Sequence, residues 1–312
     1  MTLPKIIVVG SSNTDMTVKM DRLPKPGETL LGGEFITAAG GKGANQAVAA
    51  ARAGGAVTFV ARVGCDAMGD QAVGGFLKEG ICTDYVFRDP SAPSGVALIF
   101  VAADGANSIA VAPGANGRLS PADVQQAENA MTGASALLVQ LETPLETVQT
   151  AIAMASQAGV PVILNPAPAR FLSEELLAQV SILTPNESEA GWLTGIPVRG
   201  RKDAEKAAAM LMQRGTRVVV ITLGSQGALV ATPDFMQMVR GFEVAAVDTT
   251  AAGDTFNGAL AVALAEGKPL LETVRFAQAA AALSVTRAGA QASAPQRAEI
   301  EDFLCIHGDL CK

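Results

Sequence analysis

Residues 135–165 read SALLVQLETPLETVQTAIAMASQAGVPVILN. The apolar run Ala136–Val139 is followed by a polar turn, a helical stretch from 144 to 158 and a second β-branched run, Val160–Leu164. Two short apolar strands joined through a helix form a βαβ unit, and such a crossover makes the strands parallel. The same alternation continues outward in both directions. Ile6–Val9, Val57–Val63, Ile182–Leu183 and Arg217–Thr222 are further continuous apolar runs, as expected of strands covered on both faces. Helices are predicted near 43–53, 67–79, 121–131, 186–194, 202–214, 253–266 and 269–286. The fold class is therefore α/β with a mainly parallel central sheet.

Two segments break this rhythm. Thr14–Thr37 carries Pro24, Pro26, Gly27, Gly32 and Gly33 with little helical character, and Gly95–Ala112 reads as two strands around Asp104-Gly105, a hairpin signal. Together they predict a small accessory sheet, too small to be stable alone. Such a sheet suits a lid or a dimer surface; a pair of ordinary surface hairpins is the plainer reading. No repeat and no proline-rich linker divides the chain.

Composition narrows the chemistry. The 312 residues, 49% of them hydrophobic and 17% charged, suffice for one large α/β domain or two ordinary ones. The single histidine, His307, lies close to the C-terminal end, which argues against Ser-His-Asp and Cys-His catalysis, His-ligated zinc and haem. Acid–base work then falls to a carboxylate, lysine or cysteine. With 23 basic against 30 acidic side chains the net charge is −7, so no general attraction to nucleic acid is expected. A small anion can still be held at a helix N-terminus. Cys65, Cys82, Cys305 and Cys311 form no C-x-x-C pair, the apolar run in MTLPKIIVVGSS is short for a signal peptide, and no stretch approaches a membrane span. A reduced, cytoplasmic protein with no membrane contact is expected.

The strongest local motif is Asp248-Thr-Thr-Ala-Ala-Gly-Asp254-Thr-Phe-Asn-Gly258, between a β-like run, Phe242–Val247, and an Ala/Leu-rich helix. Small residues at a helix start let the N–H groups of Ala252, Gly253 and Asp254 converge on an anion. Asp254 is either a cap of its own helix or a base facing a hydroxyl. A glycine-rich turn, Gly40-Gly41-Lys42-Gly43-Ala44-Asn45, leads into another helix, with neither the P-loop nor the G-x-G-x-x-G spacing. It is a ligand-binding turn with Lys42 and Asn45 as donors, or a plain helix start. Asn13 and Asp15, Glu142, and Asn186 with Glu189 each follow an apolar strand, the edge at which open α/β sheets bind ligands. A polyol needs such polar groups, because each buried hydroxyl needs a partner.

In combination, Asn13-x-Asp15, Gly40–Asn45, Asn186-x-x-Glu189 and Asp248–Asp254 resemble the ribokinase branch of the PfkB carbohydrate kinases, from about residue 5 to about 304. Asp21-Arg-Leu-Pro-Lys-Pro-Gly-Glu28 and Thr250-Ala251-Ala252 are similar to that branch rather than to the fructokinase or adenosine kinase branches. The tail Cys305–Lys312 lies outside the likeness. The resemblance implies a three-layer α/β sandwich formed by residues 1–13, 38–94 and 113–312, with a β lid, 14–37 and 95–112, that closes over the sugar and pairs with a second subunit. It implies sugar contacts from Asn13, Asp15, Gly40, Gly41, Lys42, Asn45, Glu142 and Asp254. Asn186, Glu189, Thr222, Gly224, Ser225, Gln226, Gly227, Gly253 and Gln278 would line the ATP site, with Asn186 and Glu189 organising Mg²⁺ through waters. Asp248, Thr250, Ser284, Arg287, Gly289 and Ser293 would hold K⁺, mostly by backbone carbonyls.

The reaction so implied is ATP-dependent phosphorylation of the primary hydroxyl of D-ribose, with Asp254 as base and Ala252, Gly253 and Asp254 as the anion hole. An Asp pKa of about 3.9 lies far below that of an alcohol, so Asp254 would take the proton late. Its proton-transfer share would be about 10²–10⁴-fold. Rival readings are a kinase for fructose, deoxyribose or a nucleoside, and a non-catalytic sugar or nucleotide sensor on the same fold. A nicotinamide dehydrogenase lacks its fingerprint here.

Overall fold

The computed structural model describes residues 3–307. The first strand, β1 (Lys5–Val9), runs directly into β2 (Asn13–Met20), and the chain returns through β3 (Glu34–Gly40) to helix α1 (Lys42–Arg52). Then follow β4 (Ala56–Gly64), α2 (Ala67–Lys78), β5 (Cys82–Asp89), β6 (Gly95–Ala102), β7 (Asn107–Ala112), α3 (Pro121–Gln126) and α4 (Glu128–Thr132). The middle of the chain is β8 (Ala136–Val139), α5 (Leu145–Gln157), β9 (Val162–Leu164), α6 (Glu174–Leu177), β10 (Ile182–Leu183), α7 (Glu187–Thr194), α8 (Arg201–Gln213) and β11 (Val218–Thr222). It closes with β12 (Gly227–Ala231), β13 (Met236–Arg240), α9 (Ala252–Ala265), α10 (Leu270–Ser284) and α11 (Arg297–Ile306).

Nine strands form the main sheet in the order β13-β12-β11-β10-β9-β8-β1-β4-β5, parallel except at β12 and β13. Its strands are covered on both faces, which is why β8 and β9 are wholly apolar and buried. One face packs against α1, α2, α9, α10 and α11 through Phe59, Phe76, Phe256, Leu260 and Val274. The other packs against α3 to α8 through Val148, Ile152, Leu176, Ala190 and Leu211. This is the three-layer arrangement. Four strands in the order β3-β2-β6-β7 form the separate small sheet. Its last hairpin turns at Asp104-Gly105, where Gly105 has φ +86° and the Asp104 carboxylate accepts the Ala106 N–H.

Three expectations need correction. Phe242–Val247 is not a strand: β13 already ends the sheet, and the chain leaves it to reach α9, with Phe242 buried under Phe303 and Arg275. The helix expected over 121–131 is two short helices divided at Ala127. Cys65 and Cys82 are free thiols, but Cys305 is disulfide-bonded, so the chain is not fully reduced; spacing motifs such as C-x-x-C say nothing of which cysteines meet in space. Among the described residues no helix is long and apolar enough to cross a membrane.

Candidate active site

The C-terminal ends of β1, β8, β9, β10 and β11 point to one edge, and the starts of α1, α7 and α9 face it. A cavity of about 160 Å³ opens there, lined by Lys42, Asn165, Thr184, Asn186, Glu189, Thr222, Thr249, Ala251–Asp254 and Asn257. Five strand-end or helix-start segments far apart in sequence converge on it.

Helix packing sets the position of Asp254. Gly258, one turn beyond it on α9, lies so close to α1 that a Cβ there would stand 2.7 Å from the Ala49 Cβ, the Ala50 nitrogen and the Gln46 carbonyl oxygen. This near backbone-to-backbone approach brings Asn45 and Gln46 to Asp254. The Asn45 Nδ2 donates to Asp254 Oδ2 at 2.9 Å, and the Gln46 Nε2 to Oδ1 at 2.9 Å. The carboxylate caps nothing in α9, whose N-cap residue is Ala251. The cap alternative is therefore overturned, because both carboxylate oxygens are turned to α1.

Ala251 has φ +58°, the one non-glycine among the described residues in the left-handed region, a conformation that costs about 1–2 kcal/mol. That turn opens the helix start. Among the described residues the N–H groups of Ala251, Gly253 and Asp254 have no protein acceptor. Ala252 departs from expectation: its N–H bends back to the Thr249 carbonyl at 3.3 Å, so the open donors are its neighbours. A Cβ built on Gly253 would meet nothing within 4 Å, so this position faces open space.

The other side of the cavity is built where the chain enters the small sheet. Glu142 Oε2 accepts from the Ser11 hydroxyl at 2.5 Å and from the Lys42 N–H at 2.9 Å. Asn116 Nδ2 donates to Asn13 Oδ1 at 2.7 Å, leaving the Asn13 amide N–H₂ as the group offered to a ligand. A Cβ on Gly40 would strike the Asp15 carboxylate and one on Gly41 the Asn13 nitrogen, so the glycine pair lets β3 turn past both. Burial, then the charges of Glu142 and Asp254, push Asp15 from its ordinary 3.8 up to about 6. Asp254 in turn raises the Lys42 ammonium pKa, its largest influence.

On the opposite side, Asn186 and Glu189 hold each other in a capping box: Asn186 Oδ1 accepts the Glu189 N–H at 2.8 Å, and Glu189 Oε2 accepts the Asn186 N–H at 2.9 Å. Burial raises the Glu189 pKa despite the opposing pull of that hydrogen bond and of Lys42. Thr222 bridges to Asn186 and lines the cavity. Gly224, Ser225 and Gln226 stand on an exposed turn one step further, ending at Gly227, whose φ of +107° and contact with Val239 only glycine permits. Gln278 is buried on α10, donating to the Val239 carbonyl at 2.8 Å, with its Oε1 unpartnered.

The expected cation loop is closed by Asp248, which accepts from the Thr250 and Gly289 N–H groups, both at 2.9 Å. These bonds outweigh burial and keep its pKa low. The Ser284 and Ser293 hydroxyls donate to carbonyls of their own turns, and the Arg287 guanidinium pairs with Glu299. With these side chains engaged, the groups of the loop left to a monovalent cation would be its backbone carbonyls. Among the described residues no three His, Cys, Asp or Glu side chains cluster tightly enough to hold a metal ion.

Sequence reasoning missed Ser11, Gln46, Asn116, Gln140, Asn165, Thr184 and Asn257. Gln140, Asn165 and Thr184 are each the first residue after an apolar strand, so the strand-end rule, applied to every strand, would have found them.

The chain matches the pfkB family carbohydrate kinase model over residues 3–297, and it belongs to that family. A ribokinase of Haemophilus influenzae is 47% identical, covering 96% of this chain and 98% of that protein. A deoxyribokinase of Salmonella typhi is 39% identical, covering 97% of this chain and 99% of that one. The structure of Arabidopsis thaliana ribokinase complexed with ribose and ATP superposes with a TM-score of 0.89 at 37% identity, covering 97% of this chain and 99% of that one.

Proposed function

We propose that this chain transfers the γ-phosphoryl group of ATP to the primary hydroxyl of D-ribose, giving ADP and D-ribose 5-phosphate. One observation carries the reading: the Asp254 carboxylate, fixed from α1, stands beside unsatisfied N–H groups at the start of α9, with Lys42 in the same small cavity. The likeness to ribokinases along nearly the whole chain supports it.

In this mechanism Asn13, Asp15, Asn45 and Glu142 hold the sugar hydroxyls, and Gly40, Gly41 and Lys42 bring the backbone close to them. Asp254 aims the primary hydroxyl at the phosphorus and receives its proton as the new bond forms. The Gly253 and Asp254 amides hold the developing charge on the migrating group, each such donor being worth about 3–4 kcal/mol. Asn186 and Glu189 would position Mg²⁺ through waters, supplying neutralisation of the phosphate charge. Thr222, Gly224, Ser225, Gln226, Gly227 and Gln278 would line the nucleotide. K⁺ would be held by the Asp248, Thr250, Ser284, Arg287, Gly289 and Ser293 loop, keeping the α9 start in shape. Action in the cytoplasm and a homodimer formed through the lid belong to the same reading.

The test is Asp254→Asn in a coupled ADP-release assay. At least a hundredfold loss of kcat with ATP affinity nearly unchanged is expected; near-normal turnover would remove Asp254 from the reaction. Identity with a deoxyribokinase favours 2-deoxyribose as a second acceptor. A sugar panel in the same assay ranks the two by kcat/KM.

A further inference from the structure

Asp254 belongs to a ring of buried polar groups, of which Asn165, Thr184 and Asn257 also line the cavity while Gln46 and Gln140 lie behind it. Gln46 is fully buried, and its Nε2 donates both to Asp254 Oδ1 at 2.9 Å and to Asn165 Oδ1 at 3.1 Å. Its Oε1 accepts from Gln140 Nε2 at 2.6 Å. From Asn165 the ring continues to the Thr184 carbonyl at 3.0 Å, from the Thr184 hydroxyl to Asn257 Oδ1 at 2.6 Å, and from Asn257 Nδ2 to the Gly253 carbonyl at 2.8 Å. Gly253 and Asp254 are adjacent, so the circuit closes.

We propose that Gln46 is a positioning residue that fixes the direction of this circuit and the orientation of the Asp254 carboxylate. With its oxygen taken by Gln140, the Gln46 amide can only donate toward Asp254. Together with the Asn45 N–H on Oδ2, that bond fixes the rotation of the carboxylate about its own axis. Asn165, Thr184 and Asn257 carry the same fixed polarity to the Gly253 carbonyl, so the base and the adjoining anion hole are aligned by one set of bonds. A buried network of this type rigidifies a site, and the loss of one member leaves others unpaired; Gln140 Oε1 and Asn45 Oδ1 are the atoms in it that find no protein partner.

This inference rests on Asp254 acting as the base, so Asp254→Asn is measured alongside and tests that reading separately. Gln46→Met keeps the length and removes both donors. Its kcat is expected to fall about 10–100-fold with the KM values for ATP and ribose within about twofold, a split that a general loss of fold would not give. Gln46→Glu keeps the shape and the bond from Gln140 but offers no N–H to Asp254, and the same fall in kcat at unchanged KM is expected. If Gln46→Met does not fold, Gln46→Glu decides. An inactive Asp254→Asn together with Gln46 variants that keep the wild-type kcat would overturn the positioning role alone.

Discussion

At the scale of single residues, Asp15 shows a binding site built at the expense of stability. Its carboxyl group sits among Glu142 and Asp254 in a partly buried site that raises its pKa from 3.8 to about 6. The folded chain therefore retains a proton that the unfolded chain has lost, and stability falls as pH rises from about 4 through 6. The ionised form carries a cost of about 2 kcal/mol once its partial exposure is allowed for. Asp15→Asn is expected to change stability little at pH 4 and to stabilise by about this amount at pH 8, while ribose affinity drops. Urea denaturation at the two pH values checks it, and an equal effect at both would show that Asp15 carries no such cost. This device was half legible beforehand. Asp15 was recognisable as a polar group past a strand, but its neighbours lie 127 and 239 residues away by number, and only folding stacks the three carboxylates together.

At the scale of elements, α9 is a helix whose start gives up the usual sources of its own stability. It has no side-chain cap, its N-cap residue is a left-handed alanine, and its first turn includes a glycine facing open space. Each departs from what a stable helix start uses. Gly253→Ala is expected to fold and to stabilise the chain by about 0.5–1 kcal/mol, since Ala is the better helix former. Its methyl group would stand where the phosphoryl group must pass, so kcat should fall at least tenfold. Thermal unfolding and steady-state kinetics on one preparation separate these effects; full activity would place the anion elsewhere. The sequence motif marked the small-residue turn and the helix after it, but the strand expected before the turn is absent and Ala252 proves to be bonded to Thr249. Which amide turns inward depends on backbone torsions that residue type does not specify.

At the scale of the whole molecule, the lid sheet is the part that a single chain leaves incompletely covered. Its register places Asp15, Ile36, Ile99, Ile109 and Val111 on one face, and Ile109 and Val111 are more than half exposed. In the pairing proposed above, a second copy of the same sheet would cover these apolar side chains. Ile109→Glu is expected to convert a dimer to a monomer in sedimentation equilibrium and to raise the KM for ribose several-fold; a wild-type chain that sediments as a monomer would refute the pairing. Taken alone, the order of residues determined that this is an α/β protein, which strands end in polar groups, and that residues 248–258 hold a small-residue turn leading into a helix, because strand and helix periods, glycine turns and strand-end chemistry are local properties of the chain. Only the tertiary structure decided that Asp254 faces α1 instead of capping its own helix, and that Gln46, Asn165, Thr184 and Asn257 join it in one circuit. Those contacts pair groups as many as 209 positions apart, and they exist only once Gly258 lets two helices close to van der Waals contact.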